Sequence, residues 1–230
     1  MKVSIWSDVR CPFCYIGKKK FEDALEQFPN KDKVEIVWKS FQLDPSLKTD
    51  PHTSMLEYFI EAKGVSEEQA LQMFSGATKM AEEAGISMNL QEGILANSFK
   101  AHRLIQFAKT RNLGNEIKEI LFKVHFEDGK NIDDISVLLE VATSIDLDAE
   151  EVKQVLNSDA YAYEVKQDEM EARNIGVRGV PFFVFDDKYA ISGAQPVETF
   201  LQTLETVWKE KNSELKISEG DSCTSEENCD

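Results

Sequence analysis

Cys11-Pro12-Phe13-Cys14 sets two thiols three positions apart. At that spacing a disulfide can close within one helical turn, and the chemistry is thiol–disulfide exchange, in which only a thiolate attacks. The segment follows a short apolar stretch, Val3, Ile5 and Trp6, and opens a helix whose stripe Phe21, Leu25 and Phe28 repeats at i, i+4 and i+7. Cys11 would therefore meet the unpaired N–H groups and the positive end of the dipole at a helix start, which favour the anion. Cys11 is expected to be the exposed, low-pKa attacker, and Cys14, one turn in, the less exposed resolving thiol. Pro12 suits the first helical turn, where its missing N–H costs nothing. Arg10 lies beside Cys11 and would favour its anion further, whereas Lys18, Lys19 and Lys20 read as a solvated helix face. A structural cysteine pair is the competing reading; the strand-then-helix context weighs against it.

A second segment bears on the same chemistry. In Gly176-Val177-Arg178-Gly179-Val180-Pro181-Phe182 a proline stands where a strand begins, a position that donates no N–H. If the Val180–Pro181 bond is cis, the chain turns sharply and the backbone of Val180 can pair with an extended substrate beside the thiols. An ordinary trans proline at a strand start fits the sequence equally well.

The elements that must position these groups follow from pattern. A strand, the helix from Pro12 to about Phe28, and a second strand at Val34–Trp38 form a βαβ unit; Pro45 and Pro51 bracket a loop. A long helical stretch, roughly residues 52 to 174, comes next. Within it Ser66-Glu67-Glu68-Gln69 is a capping box before Ala70, Phe74, Ala77 and Ala81. Further helices are expected from about Phe99, then at about 114–127, 133–144, 149–157 and 159–174. Pro181–Phe185 and Tyr189–Gly193 read as strands joined by a turn at Asp186-Asp187-Lys188, and Val197 to about Lys211 as a closing helix. The class is α/β, with the order βαβ, a helical block, then ββα.

Bulk composition narrows the partners. With 42 acidic against 26 basic side chains the net charge is −16, which argues against nucleic acid and against an anionic membrane surface. No apolar run approaches the roughly 18 residues of a membrane span. Met1-Lys2-Val3-Ser4-Ile5-Trp6 runs straight into the first strand, so a cytoplasmic protein is expected, in which disulfides are mostly transient and catalytic.

Three blocks together carry a family resemblance: Ser7–Gly17 around the two cysteines, Asn97-Ser98-Phe99-Lys100-Ala101-His102-Arg103-Leu104, and Gly176–Phe183 with Ile191-Ser192-Gly193-Ala194-Gln195. The chain resembles the thioredoxin-fold DsbA family, and its FrnE-like branch most closely, over nearly its whole length. The resemblance implies a thioredoxin-like fold interrupted by a large all-helical insertion. It divides the chain into a thioredoxin-like domain of residues 1–50 and 175–211, an inserted helical domain of residues 51–174, and an acidic, cysteine-containing tail of residues 212–230. It also implies a nucleophilic Cys11, a resolving Cys14 and a cis Pro181. That branch usually has Trp where this chain has Phe13, a change that touches the thiolate and bears on redox potential.

Substrate contacts are expected from Pro12, Phe13, Val180 and Pro181. His102 and Asn97 are weaker candidates: His102 reads first as a helix-packing histidine, and Asn97 first as a helix N-cap. Cys223 and Cys229, in the polar tail, are candidates for an auxiliary redox pair that exchanges electrons with Cys11–Cys14; a structural disulfide is the alternative. The leading function is a thiol–disulfide oxidoreductase acting through a mixed disulfide on protein or small-molecule thiols and disulfides. No metal, flavin or nicotinamide is required, and glutathione is a candidate thiol co-substrate. Rival functions are a glutathione-dependent isomerase or transferase of the same fold, a four-thiolate zinc-binding module of Cys11, Cys14, Cys223 and Cys229, and a chaperone-like binder of extended chains.

Overall fold

The computed structural model describes residues 1–91 and 93–213. Its frame is a four-stranded sheet built on β1 (Lys2–Ser7), with neighbours β2 (Glu35–Ser40) on one side and β5 (Phe182–Phe185) on the other, and β6 (Tyr189–Ser192) beyond β5. β1 pairs parallel with β2, Ile5 opposite Trp38, and antiparallel with β5, Ile5 opposite Phe183. Because β1 is central, both of its faces are covered, and it is buried without a break from Val3 to Ser7 although Ser4 and Ser7 are polar. Asp186 and Asp187, with φ of 43° and 57°, are the left-handed central pair of the turn in the three-residue β5–β6 loop, where Lys188 N donates to Phe185 O at 3.0 Å.

One face of the sheet is covered by α1 (Pro12–Gln27) and α9 (Val197–Ser213). Phe21 on α1 meets the rings of Phe183, Phe185 and Phe200 at centroid distances of 5.6, 6.2 and 5.8 Å. On the other face Trp6 packs with Ala172 and Val177, and its indole Nε1 donates to Asp168 O at 3.0 Å. Asp168 and Ala172 belong to α8 (Ala162–Asn174), the last helix before the chain returns to the sheet.

Between β2 and β5 run α2 (Met55–Lys63), α3 (Glu67–Glu83), α4 (Phe99–Lys109), α5 (Gly114–Phe126), α6 (Ile135–Thr143), α7 (Ala149–Leu156) and α8. The box expected at Ser66 is present, and Ser54 caps α2 in the same way with Glu57. This region is not wholly helical, as the apolar pattern had suggested. β3 (Asp50–Ser54) pairs antiparallel with β4 (Ile94–Leu95), and Pro51, expected in a loop, lies within β3. A two-stranded ribbon with a free edge tolerates a proline that donates to no neighbour. Asp50–Ser54 is polar and Ile94–Leu95 is only two residues long, so neither announces itself as a strand.

The helices enclose a core of Leu104, Ile105, Ile117, Leu121, Phe122 and Leu138 that is continuous with Val9, Cys11, Cys14, Tyr15 and Ile16. Tyr15 stacks on Phe122 at 5.0 Å. The thiol segment is thus part of the floor of the helical layer. Among the described residues no helix is long and apolar enough to cross a membrane.

Candidate active site

Cys11 is the N-cap of α1, and Pro12 occupies the first helical turn. The helix starts here because Pro12 has its φ preset and Cys11 keeps an extended backbone, φ −92° and ψ 113°. Cys14 N donates to Cys11 O at 3.0 Å, and Cys11 N to Asp8 O at 3.1 Å, so the loop between β1 and α1 is pinned at both ends. Cys11 Sγ donates to Val180 O at 3.5 Å. The Val180–Pro181 bond is cis. Gly17, one turn beyond Cys14, lets Pro181 approach: a Cβ there would stand 2.9 Å from Pro181 Cγ.

Exposure differs from expectation. Cys11 is only 4 % exposed and Cys14 1 %, while Phe13 between them is 40 % exposed. The helical layer, contributed from far along the chain, covers both sulfurs. The low pKa expected of Cys11 is also not what its surroundings produce. Its hydrogen bond with the Cys14 sulfur, then burial, then the charge of Cys14 and last the Asp8 carboxylate push the thiol well above its ordinary value, against a backbone N–H of Cys14 that pulls it down.

Three ionisable groups beneath the sulfurs escaped the sequence reading as chemistry. Asp8 is fully buried and accepts from His102 Nε2 at 3.3 Å, Leu43 N at 2.8 Å and Arg10 N at 3.2 Å. Burial works to raise its pKa, but His102, the Leu43 N–H and Arg10 outweigh that and hold it well below the usual carboxylate range. Lys118 on α5 is 1 % exposed, with Nζ 3.3 Å from Ser7 O. Burial pulls its pKa down to about 8, and the acidic groups that oppose this are Cys14, Asp8 and Cys11, in that order. His125, also buried, is pushed down to about 4 by burial and is neutral at pH 7. A signal for two of them exists: residues 114, 117, 118, 121, 122 and 125 form the buried face of α5, so Lys118 and His125 interrupt an apolar stripe.

The secondary candidates divide. His102 is fully buried and tied to Asp8, with its Nδ1 unpartnered among the described residues. Asn97 is not the N-cap of α4, which is Ser98; from one residue earlier its Oδ1 accepts from Phe99 N at 2.7 Å, and its amide donates to Leu47 O. Pro12, Phe13, Val180 and Pro181 all gather at Cys11. Lys18 corrects the expectation of a solvated face: it is 2 % exposed and bridges Glu22 and Glu119, both at 2.6 Å, because α5 lies over that side of α1. Lys19 joins Glu119 from the half-exposed side. Cys223 and Cys229, and with them the tail and the four-thiolate zinc reading, lie outside the described residues.

Comparison with known proteins gives a consistent picture. The family model described as the DSBA-like thioredoxin domain matches residues 2–205. A crystal structure of a probable DsbA oxidoreductase from Streptomyces coelicolor is 38 % identical, with a TM-score of 0.87, covering 98 % of this chain and 97 % of that one. The protein YwbO of Bacillus subtilis is 28 % identical over 214 residues, 91 % of this chain and 98 % of its own length. The cytosolic disulfide reductase DsbM of Pseudomonas aeruginosa, solved with glutathione, shares the fold at 14 % identity and a TM-score of 0.64, covering 91 % of this chain and all of DsbM.

Proposed function

Because the chain belongs to the DSBA-like thioredoxin domain family, we propose that it is a dithiol oxidoreductase whose working pair is Cys11 and Cys14. The observation that carries the reading is the contact of Cys11 Sγ with Val180 O at the head of α1. It brings together, from opposite ends of the chain, a nucleophile at a helix start and a strand-end backbone able to hold an extended substrate.

The cycle balances without a metal or an organic cofactor. The Cys11 thiolate attacks one sulfur of a client disulfide; an S–S bond forms to Cys11 and the client S–S bond breaks, releasing one client thiolate. The Cys14 thiolate then attacks Cys11 Sγ. The Cys11–Cys14 disulfide forms, the second client thiolate leaves, and two electrons have passed to the client. Two molecules of a thiol such as glutathione return the pair to the dithiol and leave as their own disulfide, and run backwards the same steps oxidise client thiols.

The buried charges have roles in this cycle. Of the acidic groups that act on Lys118, Cys14 acts most strongly, so Lys118 offers a counter-charge as Cys14 gives up its proton. Asp8 holds the β1–α1 loop through Leu43 and Arg10, and its charge weakly opposes ionisation of Cys11. Pro12, Phe13, Val180 and Pro181 form the surface against which the client sulfur is presented. Assignment to the FrnE-like branch, the division into a thioredoxin-like domain and a helical insertion at residues 51–174, and a cytoplasmic location belong to the same reading.

The test is disulfide reduction followed by mass spectrometry. Wild type should reduce a client disulfide with multiple turnovers in the presence of a thiol. Cys14→Ser should accumulate a covalent adduct on Cys11, and Cys11→Ser should form none. Turnover that survives Cys11→Ser would refute the assignment.

A further inference from the structure

A cavity of about 380 Å³ opens beside the thiols, between the head of α1 and helices α2 and α3. Arg10 and Phe13, on either side of Cys11, form one wall; Tyr58 and Phe59 of α2 and Phe74 and Ala77 of α3 form the other. Its size fits a small molecule with one ring and short substituents. A more voluminous cleft of about 430 Å³, between α3 and residues 88–91, is lined by no residue of the β1–α1 loop or of the head of α1, whereas the cavity beside the thiols is lined by Arg10, Pro12 and Phe13, the neighbours of Cys11, though by neither cysteine itself.

The wall is mostly apolar, with Arg10, Lys63 and Asp44 as its charged groups. Arg10 is 8 % exposed, and its Nε is buried without a hydrogen-bond partner among the described residues. Its guanidinium lies 5.7 Å from the Tyr58 ring centre and in ion-pair contact with no described carboxylate. Arginine keeps its charge, so a buried donor of this kind is costly unless an anion completes it. The two carboxylates whose charge it feels are engaged elsewhere. Asp8 accepts from His102 and Leu43 N, and Asp44 accepts from Ser46 and from Tyr58 Oη at 3.1 Å. Lys63 is a second cation in the lining, against Asp44 as its carboxylate, so a chain of net charge −16 presents a net positive charge here.

We propose that this cavity selects the substrate: a low-molecular-weight disulfide bearing a flat apolar arm, which fills the space between Phe13 and Phe74, and a carboxylate, which Arg10 receives. The inference rests on the dithiol reading above and names the substrate class of that site. With the arm seated and the carboxylate on Arg10, the adjoining sulfur is presented to Cys11, one residue away. Attack transfers that half of the molecule to Cys11 and releases the other half as a thiolate; Cys14 then displaces the first half and the protein leaves as the disulfide.

Three probes separate the terms when mixed with the reduced full chain: bis(carboxynitrophenyl) disulfide, carboxylate-free bis(nitrophenyl) disulfide, and aliphatic, uncharged hydroxyethyl disulfide. Each rate constant is divided by the intrinsic rate of the same probe with a small thiol, which removes leaving-group differences. Wild type should favour the carboxylate probe over its carboxylate-free counterpart. Arg10→Gln should cut that preference at least tenfold, the loss expected for one charge-assisted hydrogen bond. Ala62→Trp, at an exposed position on the cavity rim, should slow both aryl probes at least fivefold relative to hydroxyethyl disulfide, whose turnover reports an intact fold and thiol pair. Equal corrected rates in wild type, or a preference untouched by Arg10→Gln, would overturn the cavity assignment while leaving the dithiol reading in place. Failure of all three probes with wild type would remove both.

Discussion

Lys118→Met tests whether the helical layer holds a cation in a dry site under the thiols. In the folded protein burial lowers the Lys118 pKa from 10.5 to about 8. That difference of about 2.5 units corresponds to about 3 kcal/mol. Its sign follows from proton counts. Between pH 8 and 10.5 the unfolded chain still binds the Lys118 proton while the folded chain has lost it, so stability rises with pH across this window. Below pH 8 both forms are protonated and the full cost of the buried charge is present. Methionine has similar length and carries no charge, so the variant should be at least as stable as wild type near pH 7. Wild type should then gain on the variant by about 3 kcal/mol as pH climbs from about 7.5 to about 10.5. Urea unfolding of both proteins at half-unit pH steps measures this, and the difference between them cancels the other titrating lysines. The same variant should release the Cys11 adduct more slowly, because Cys14 loses the cation that faces it. A stability difference that stays flat over the window would refute the claim that Lys118 is held desolvated.

Other residues give independent checks. Asp8→Asn should destabilise the fold by about 1–3 kcal/mol at pH 7, since one of the buried donors His102 Nε2, Leu43 N and Arg10 N then loses its carboxylate acceptor. A carboxyl held down in the folded state contributes fully above the ordinary Asp pKa of about 4 and loses that contribution as pH falls, so the gap from wild type should narrow in urea titrations below about pH 4. Cys14→Ala removes the largest influence raising the Cys11 pKa, and the pH midpoint for alkylation of Cys11 by iodoacetamide should move down. Gly17→Ala should cost about 1–3 kcal/mol in thermal or urea unfolding, and should slow client reduction, because its methyl would press on Pro181.

Much of the architecture was readable from local pattern. The stripe of Phe21, Leu25 and Phe28 marked α1, the Ser66 box marked the start of α3, and the paired aspartates at 186 and 187 marked the hairpin. These signals act over a few residues, through periodicity, capping and turn geometry. The small β3–β4 ribbon was missed because its strands are short and far apart in the chain, so their pairing is a property of the fold around them.

Of the site, residue types and spacing along the chain determined the two thiols, the proline that opens α1 and the proline that opens β5, because each is set by near neighbours. Burial and charge environment were decided by tertiary structure. Only when α5 lies across α1 does Lys18 leave solvent and Lys118 come within reach of the charge on Cys14, and only in the assembled fold does Cys11 sink to 4 % exposure. Asp8 and His102 stand 94 positions apart, and no local pattern announces their pairing. The physical reason is range: propensity and capping act over one or two turns, whereas desolvation and Coulomb interaction depend on what the rest of the chain places within a few ångströms.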